Sequence, residues 1–544
     1  SIAVLPFSNL SADPADAFFA DGVHEDVITN LAKIHDLRVI SRTSVMGYRD
    51  TRKSVREIGS ELGVAKLLEG SVRRAGTHAR ITAQLIDTRT DEHVWAETYD
   101  RDLSDIFAVQ SEIARKIAAT LQARLTTDER TLIETRPTGN QKAYDLFLRA
   151  REAGPFRDWI TLMAQAVAED PNFALAQSEL SRAYAHSYWS TQASDQTPEA
   201  LARSKAALDI AIRLAPDTPD THFAIGDYYY RTERDWEKAW TELKLAEQGI
   251  PHHSPLMQQL AYTARRMGKW QEALDYFELA RRLDPMERGA RFTYPLETLT
   301  TYRRFSEARN LAAESVAAFS DFPWFHWARM SLQYELDGDR AAFEKHLAAL
   351  PGGRMSELMT GSLVRERLRQ AIRFDDRDTI DVLLADPSRQ FINSEQSIVN
   401  DPIELYRAEI AFLDGRAEDA ARDAELAITY YRNKQWKPRQ EVWALVGIAR
   451  AEAYAGKSGD AMRDAAAALA RSAKEDVWDT VYLRPEVGRI YAALGHADEA
   501  IAVLHEMMDG ASGMTPRQVR DDPLWGRLKD DPRFEETLAG AKPL

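Results

Sequence analysis

Apolar positions change their spacing part-way along this chain. At the start, strand and helix patterns alternate. Residues 2–7 read as a short buried strand, Ile2-Ala3-Val4-Leu5-Pro6-Phe7. Residues 17–34 carry Phe18, Val23, Val27, Leu31 and Ile34 at helical spacing. A second short strand is expected at 37–40, and a short helix at 54–62, stopped by Gly63. Period two then takes over. In the run 80–87, Ile81, Ala83 and Leu85 face one way and Arg80, Thr82 and Gln84 the other. The preceding run, 67–74, joins it through Ala75-Gly76-Thr77, a hairpin signal. A third strand at 93–99 follows the turn Thr90-Asp91-Glu92. An amphipathic helix ends the region, with Ser104 as its N-cap and a stripe of Ile106, Phe107, Ile113, Ile117, Leu121 and Leu125. The predicted order is β-α-β-α-β-β-β-α, a mixed sheet covered by helices.

From about residue 140 the strand signals vanish and helices repeat. One mark is a Gly followed five residues later by Ala, at Gly268/Ala273, Gly415/Ala420, Gly456/Ala461 and Gly495/Ala500. A second is a Pro closing a helix, at Pro171, Pro216, Pro251 and Pro285. Gly permits a tight interhelix turn. A small Ala lets two crossing helices approach. Pro ends a helix because it lacks an N–H and clashes with the preceding turn. Such a helix pair cannot bury its apolar face alone, so pairs stack on their neighbours. The fold class is therefore an α+β N-terminal domain followed by an all-α solenoid. The boundaries read as a domain over 1–130, a linker over 131–140 and a repeat array with a capping C-terminal segment over 141–544.

Charge narrows the function. The formal net charge of −15 disfavours direct nucleic-acid contact. The short basic clusters, Arg73-Arg74, Arg265-Arg266 and the run Arg365, Arg367, Arg369, read as solvated faces. There is no cysteine, hence no disulfide, thiolate metal site or cysteine nucleophile. No apolar stretch approaches the ~18 residues that span a bilayer. The chain enters a strand directly from Ser1, which reads as a fragment with a targeting, membrane or effector segment upstream.

The stretch 260–285, with Leu260, Gly268, Ala273, Phe277, Ala280 and Pro285, resembles the tetratricopeptide (TPR) repeat. Residues 224–230 with Ala239 and Ala246, and Val487, Gly488, Tyr491, Gly495 and Ala500, resemble it too. The repeat register is barely legible around 288–320 and 340–390. At the N-terminus, the phrases at 2–7, 21–26, 68–73, 80–87 and 95–101 resemble the TolB-like domain of bacteria. That resemblance implies an array lying C-terminal to an adenylate/guanylate cyclase or a winged-helix domain. The tail around Asp522-Pro523-Leu524-Trp525 and Asp531-Pro532-Arg533-Phe534 resembles the usual ending of such arrays.

In TPR proteins the first helix of each pair lines the concave face. Carried over to this chain, the resemblance implies a groove of Phe223, Asp227, Tyr230 and Arg231 from one pair, with Gln258, Tyr262, Arg265 and Arg266 from the next. A protein or peptide partner is the implied ligand. Catalytic signals are missing: there is no GxSxG, HExxH or GxGxxG motif. Gly456-Lys457-Ser458 imitates the end of a phosphate-binding loop but sits at a repeat turn. His24-Glu25-Asp26 reads as the edge of an amphipathic helix, and His252-His253 as an inter-repeat loop. The expectation is a non-catalytic interaction and sensory module without cofactor or metal, able to form homo-oligomers. It would touch a membrane only through an upstream segment and lie on the periplasmic side, with the cytoplasm as the alternative compartment. The alternative function is a stand-alone scaffold of envelope assembly.

Overall fold

The computed structural model describes residues 1–13, 16–153, 156–189, 197–360, 363–393 and 399–541. Contacts divide the chain into two compact units. The first comprises Ser1–Ala264 and Gln271–Tyr294; the second comprises Arg265–Trp270 and Pro295–Leu544.

The first unit opens with a mixed sheet of strands β1 (Ile2–Val4), β2 (Ser8–Asn9), β3 (Lys66–Ala75), β4 (His78–Asp87) and β5 (His93–Asp102). The order is β1-β3-β4-β5, with β2 also beside β3. β1 and β2 run parallel to β3, while β3, β4 and β5 are antiparallel. Gly76 makes the β3–β4 turn in the left-handed region, at φ 60°. The period-two reading of β4 holds: Ile81, Ala83 and Leu85 are buried. The stretch 37–40 forms a single bridge, Val39 to Ile2, rather than a strand. The last helix of the region begins at Ile106, after a tight turn over Leu103–Asp105. Ser104 therefore lies inside that turn, and its side chain is outside the described residues.

His24 corrects the sequence reading. It is not at a helix edge but fully buried, with Nε2 donating to the Val4 carbonyl at 2.9 Å. The hydrogen bond needs only the neutral ring. Burial pushes its pKa down to about 4 from the ordinary 6.5. The unfolded chain thus binds a proton that the folded chain refuses between these values, so stability is full above pH 6.5 and falls as pH drops towards 4. Between pH 6.5 and 5 the loss is expected to be about 2 kcal/mol. Urea unfolding at both pH values checks this. His24→Gln should flatten that dependence, and an unchanged dependence would exclude His24 as its source.

Buried polar contacts fasten the sheet region to the first helices of the array. Asp26, on helix Ala17–Ala32, accepts from Gln110 at 3.0 Å, from Arg151 at 3.1 Å and from the Tyr144 hydroxyl. Tyr144 and Arg151 belong to helix Gln141–Glu152. Ser41 donates to Asp284 at 2.8 Å through its hydroxyl and to the Leu283 carbonyl at 2.7 Å through its backbone N–H.

Beyond this lies a run of helix pairs, interrupted by one feature the sequence reading missed, an antiparallel pairing of β6 (Phe391–Asn393) with β7 (Asn400–Pro402). The four glycines of the repeat mark, Gly268, Gly415, Gly456 and Gly495, all sit in left-handed turns at φ 72° to 83°. The alanines five residues on, Ala273, Ala420, Ala461 and Ala500, are wholly buried. The same left-handed turn recurs without glycine at Arg234, Arg303 and Asp375, and with glycine at Gly338. Pro171, Pro216, Pro251 and Pro285 each follow a helix end, as expected.

Candidate binding recess

The groove residues implied by the family spacing are engaged inside their own units. Phe223 is buried, with the Arg182 guanidinium 3.7 Å from its ring centre. Asp227 is buried and accepts from Arg231 Nε at 2.8 Å. Tyr230 lies between Trp189 and Trp236, at ring-centre distances of 5.4 and 5.2 Å. Arg231 also reaches Gln259, and Gln258 accepts from the Tyr262 hydroxyl at 3.4 Å. Tyr262 packs edge-on against Phe277 and Tyr294.

Arg265 and Arg266 belong to the second unit. Arg265 pairs with Glu297 at 3.4 Å and lies 4.0 Å over the Trp478 ring. Arg266 donates to Asp476 at 2.7 Å and to Asp479 at 3.3 Å. Both arginines are buried, as are Arg365 and Arg367. The expectation of solvated basic faces is thus overturned for both clusters, because each guanidinium leaves water in exchange for a carboxylate. Arg73 alone among the residues of these clusters is exposed.

An open recess of about 510 Å³ lies in the second unit. Four helices build most of it, the first being Tyr294–Thr301 with Leu296, Glu297, Thr300 and Thr301. Helix Pro323–Asp337 contributes Trp324, Trp327, Ser331 and Glu335 from one face. Helix Val364–Phe374 contributes Arg365, Arg369 and Arg373, spaced four apart and so aligned along one stripe, with Gln370 beside them. Helix Val477–Leu494 contributes Tyr482, Pro485, Glu486 and Arg489. Thr515 and Gln518, at the start of the short helix Pro516–Asp521, close one side.

The electrostatics centre on Glu486, which is 3% exposed. Arg489 lies 2.8 Å from its carboxylate, Arg365 3.3 Å, and Arg369 and Arg450 3.5 Å each. Burial alone would raise this carboxyl's pKa, but the four guanidiniums outweigh burial and hold it well below the usual range. Glu409 is fully buried and is likewise held low, by Arg369 and Arg450. The guanidiniums are matched by further carboxylates: Glu366 pairs with Arg365, Glu409 with Arg369 and Arg450, Asp401 with Arg450 and Asp522 with Arg489. Burial raises Glu335 against the pull of Arg373, and raises Glu297 against Arg265.

Several polar atoms on the wall have no hydrogen-bond partner among the described residues. Gln370 is 4% exposed, and its Nε2 is one of them, as are Nε of Arg369 and of Arg373. Arg489 donates through Nε to Asp522 and through Nη1 to Glu486, and Nη2 makes no hydrogen bond within the described residues. The Ser331 hydroxyl, which can donate or accept, is likewise without a partner among the described residues. Among the described residues no group of three or more His, Cys, Asp or Glu side chains is arranged to hold a metal ion, and no helix is long and apolar enough to cross a membrane.

Sequence reasoning missed the recess because it falls where the repeat register is hardest to read. The available signal was the four-residue spacing of Arg365, Arg369 and Arg373. Reading Arg365, Arg367 and Arg369 as a run of alternate residues hid that spacing.

Comparison with known proteins locates likenesses in parts of the chain. Residues 1–116 match the family described as HilA/YgeH-like transcriptional regulator, second domain. A protein of Rhizobium meliloti (strain 1021) named "Putative adenylate cyclase 3" is 41% identical over 231 residues, covering 41% of this chain. The match spans 39% of that protein's length. Among solved structures, PilF of Pseudomonas aeruginosa is similar with a TM-score of 0.32 and 18% identity, over 42% of this chain and 95% of its own. A TPR protein of Thermus thermophilus has a TM-score of 0.25 and 23% identity, over 35% of this chain and 94% of its own. The helix-pair architecture rests on the chain's own turns and packing.

Proposed function

We propose that this chain is the non-catalytic regulatory region of a bacterial signalling protein, and that its helical array binds a protein or peptide partner in the recess of the second unit. The observation that carries the reading is the recess itself: helices Tyr294–Thr301, Pro323–Asp337, Val364–Phe374 and Val477–Leu494 bring Trp324, Trp327, Gln370, Tyr482 and Arg489 to one concave space. That combination suits an extended peptide, whose backbone supplies acceptors and whose side chains supply apolar surface. In this reading the TolB-like domain over residues 1–130 couples the array to an effector elsewhere in the same protein. The names carried by the similar proteins, an adenylate cyclase and a transcriptional regulator, support an effector of one of these two kinds. The helical array, over residues 141–544, supplies recognition. A periplasmic location is part of the proposal.

The test is capture of partners from bacterial envelope and cytoplasmic extracts by the purified chain. A Trp324→Ala/Gln518→Ala variant is run beside it. A protein held by the wild type and lost by the variant is the expected result, in the envelope extract. The same proteins captured by both would reject the recess as the binding site.

A further inference from the structure

The second unit closes on itself, because its first helices meet its last. The Thr301 carbonyl accepts from the backbone N–H groups of Ser512 and Gly513, at 3.1 and 3.2 Å. The Thr301 hydroxyl lies 2.8 Å from that of Tyr482. Arg303 donates to the Met508 carbonyl. One helix on, Tyr334 donates to Asp521 at 2.8 Å, and Glu335 accepts from the Thr515 hydroxyl at 2.9 Å. Farther along, Arg266 pairs with Asp476 and Asp479, and Trp270 meets Trp478 at 5.9 Å.

The apolar cores stand on either side of this seam. Trp327, Met330 and Tyr334 pack into one cluster with Phe343, Leu347, Leu358 and Leu363. Met507, Met508, Val519 and Trp525 belong to another, whose residues run from Val364 to Leu538. What joins the two sides from Thr301 to Asp521 is thus chiefly hydrogen bonding. Parting such a seam exchanges each bond for one to water, so each contributes little net stability. Parting an apolar core would instead expose apolar surface outright. The seam is therefore a weak line in the unit, of the kind along which proteins open without unfolding. It is also a wall of the recess, since Thr301, Glu335, Tyr482, Ser512, Gly513 and Thr515 line that space.

We propose that the second unit opens along this seam and so gives a peptide side entry to the recess. Side entry rests on the recess being the array's ligand site; the opening itself rests on the seam alone.

The chain has no cysteine, so nitroxide labels can be attached at Glu307→Cys and Glu506→Cys, both exposed and on opposite sides of the seam. Double electron–electron resonance on the whole chain, with no ligand added, reports the distance between helices Phe305–Ala318 and Ala497–Asp509. The expected result is a main distance and a longer minor one. Tyr334→Phe and Tyr482→Phe, made singly and together, remove seam hydroxyls and leave every ring in place. The longer population should rise about threefold or more with each. Thermal unfolding confirms that the variants are folded. A single distance in every variant, or a longer population that hydroxyl removal leaves unchanged, would overturn the opening. A longer population that responds as expected, with no partner crosslinked from the recess, would confirm the opening and overturn side entry.

Discussion

Replacing Glu486 with alanine is expected to destabilise the second unit by about 3–5 kcal/mol, the cost of leaving buried charge without its counterpart. Glu486 sits among Arg365, Arg369, Arg450 and Arg489. Each of these retains another carboxylate: Glu366, Glu409, Glu409 and Asp522 respectively. None of those remaining contacts removes the mutual repulsion of four guanidiniums around an emptied centre. The pairing holds helices Val364–Phe374, Pro438–Tyr454 and Val477–Leu494 together, so the loss is felt across the unit. Thermal unfolding should show the transition of this unit moved down by about 10 °C. Glu486→Gln keeps the shape and removes the charge, and should recover only a minor part. A change below about 1 kcal/mol for Glu486→Ala would mean that the arginines are already neutralised by their other partners.

The second large effect is expected at the chain's end. Trp525→Ala should cost about 3–5 kcal/mol, the range for deleting a large buried ring. Trp525 is fully buried, 6.4 Å ring to ring from Phe534. Its ring lies directly over Gly488. A methyl group added at Gly488 would come within 2.6 Å of the indole, so glycine is required for this approach. The tail reaches this position through two Asp-Pro starts. Asp522 accepts from the Leu524 N–H at 3.0 Å and Asp531 from the Arg533 N–H at 3.0 Å, with proline at the first helical position in each case. The tail thereby covers an apolar face of helix Val477–Leu494. A double-variant cycle checks the contact. Gly488→Ala should destabilise the native chain by about 1–3 kcal/mol and have a much smaller effect beside Trp525→Ala. Additive effects would show that the ring and the glycine do not meet.

Much of the architecture is legible in residue spacing. The alternation in β4 announces its buried face, and the turn glycines announce the helix pairs with their left-handed backbone. Legibility fails where a different residue adopts the same geometry. Arg303 and Asp375 take the left-handed turn at φ 61° and 54°. Phe343 and Ile380 stand where the motif elsewhere has a buried alanine. The repeats between 286 and 400 therefore keep their geometry while losing their signature. The binding surface is harder still to read. Arg369 and Arg373 look like any exposed basic residues in a helix, and only the fold reveals that Glu409 and Glu335 stand 2.5 and 2.6 Å away. Likewise, the family spacing implied a groove at Phe223 to Arg266, and in the structure Asp227, Tyr230 and Arg266 make contacts within the chain. Long-range pairing of this kind leaves no periodic trace in the sequence.

The account's central claim is that a partner enters the recess of the second unit, and site-specific photocrosslinking in living bacteria tests it most directly. A benzophenone side chain is placed at Gln518, on the recess wall, and in a separate variant at Arg463, on the exposed surface of helix Ser458–Glu475. The expected result is a discrete crosslinked partner from position 518 and none from position 463. Crosslinking of the same partner from both positions, or from 463 alone, would contradict the account.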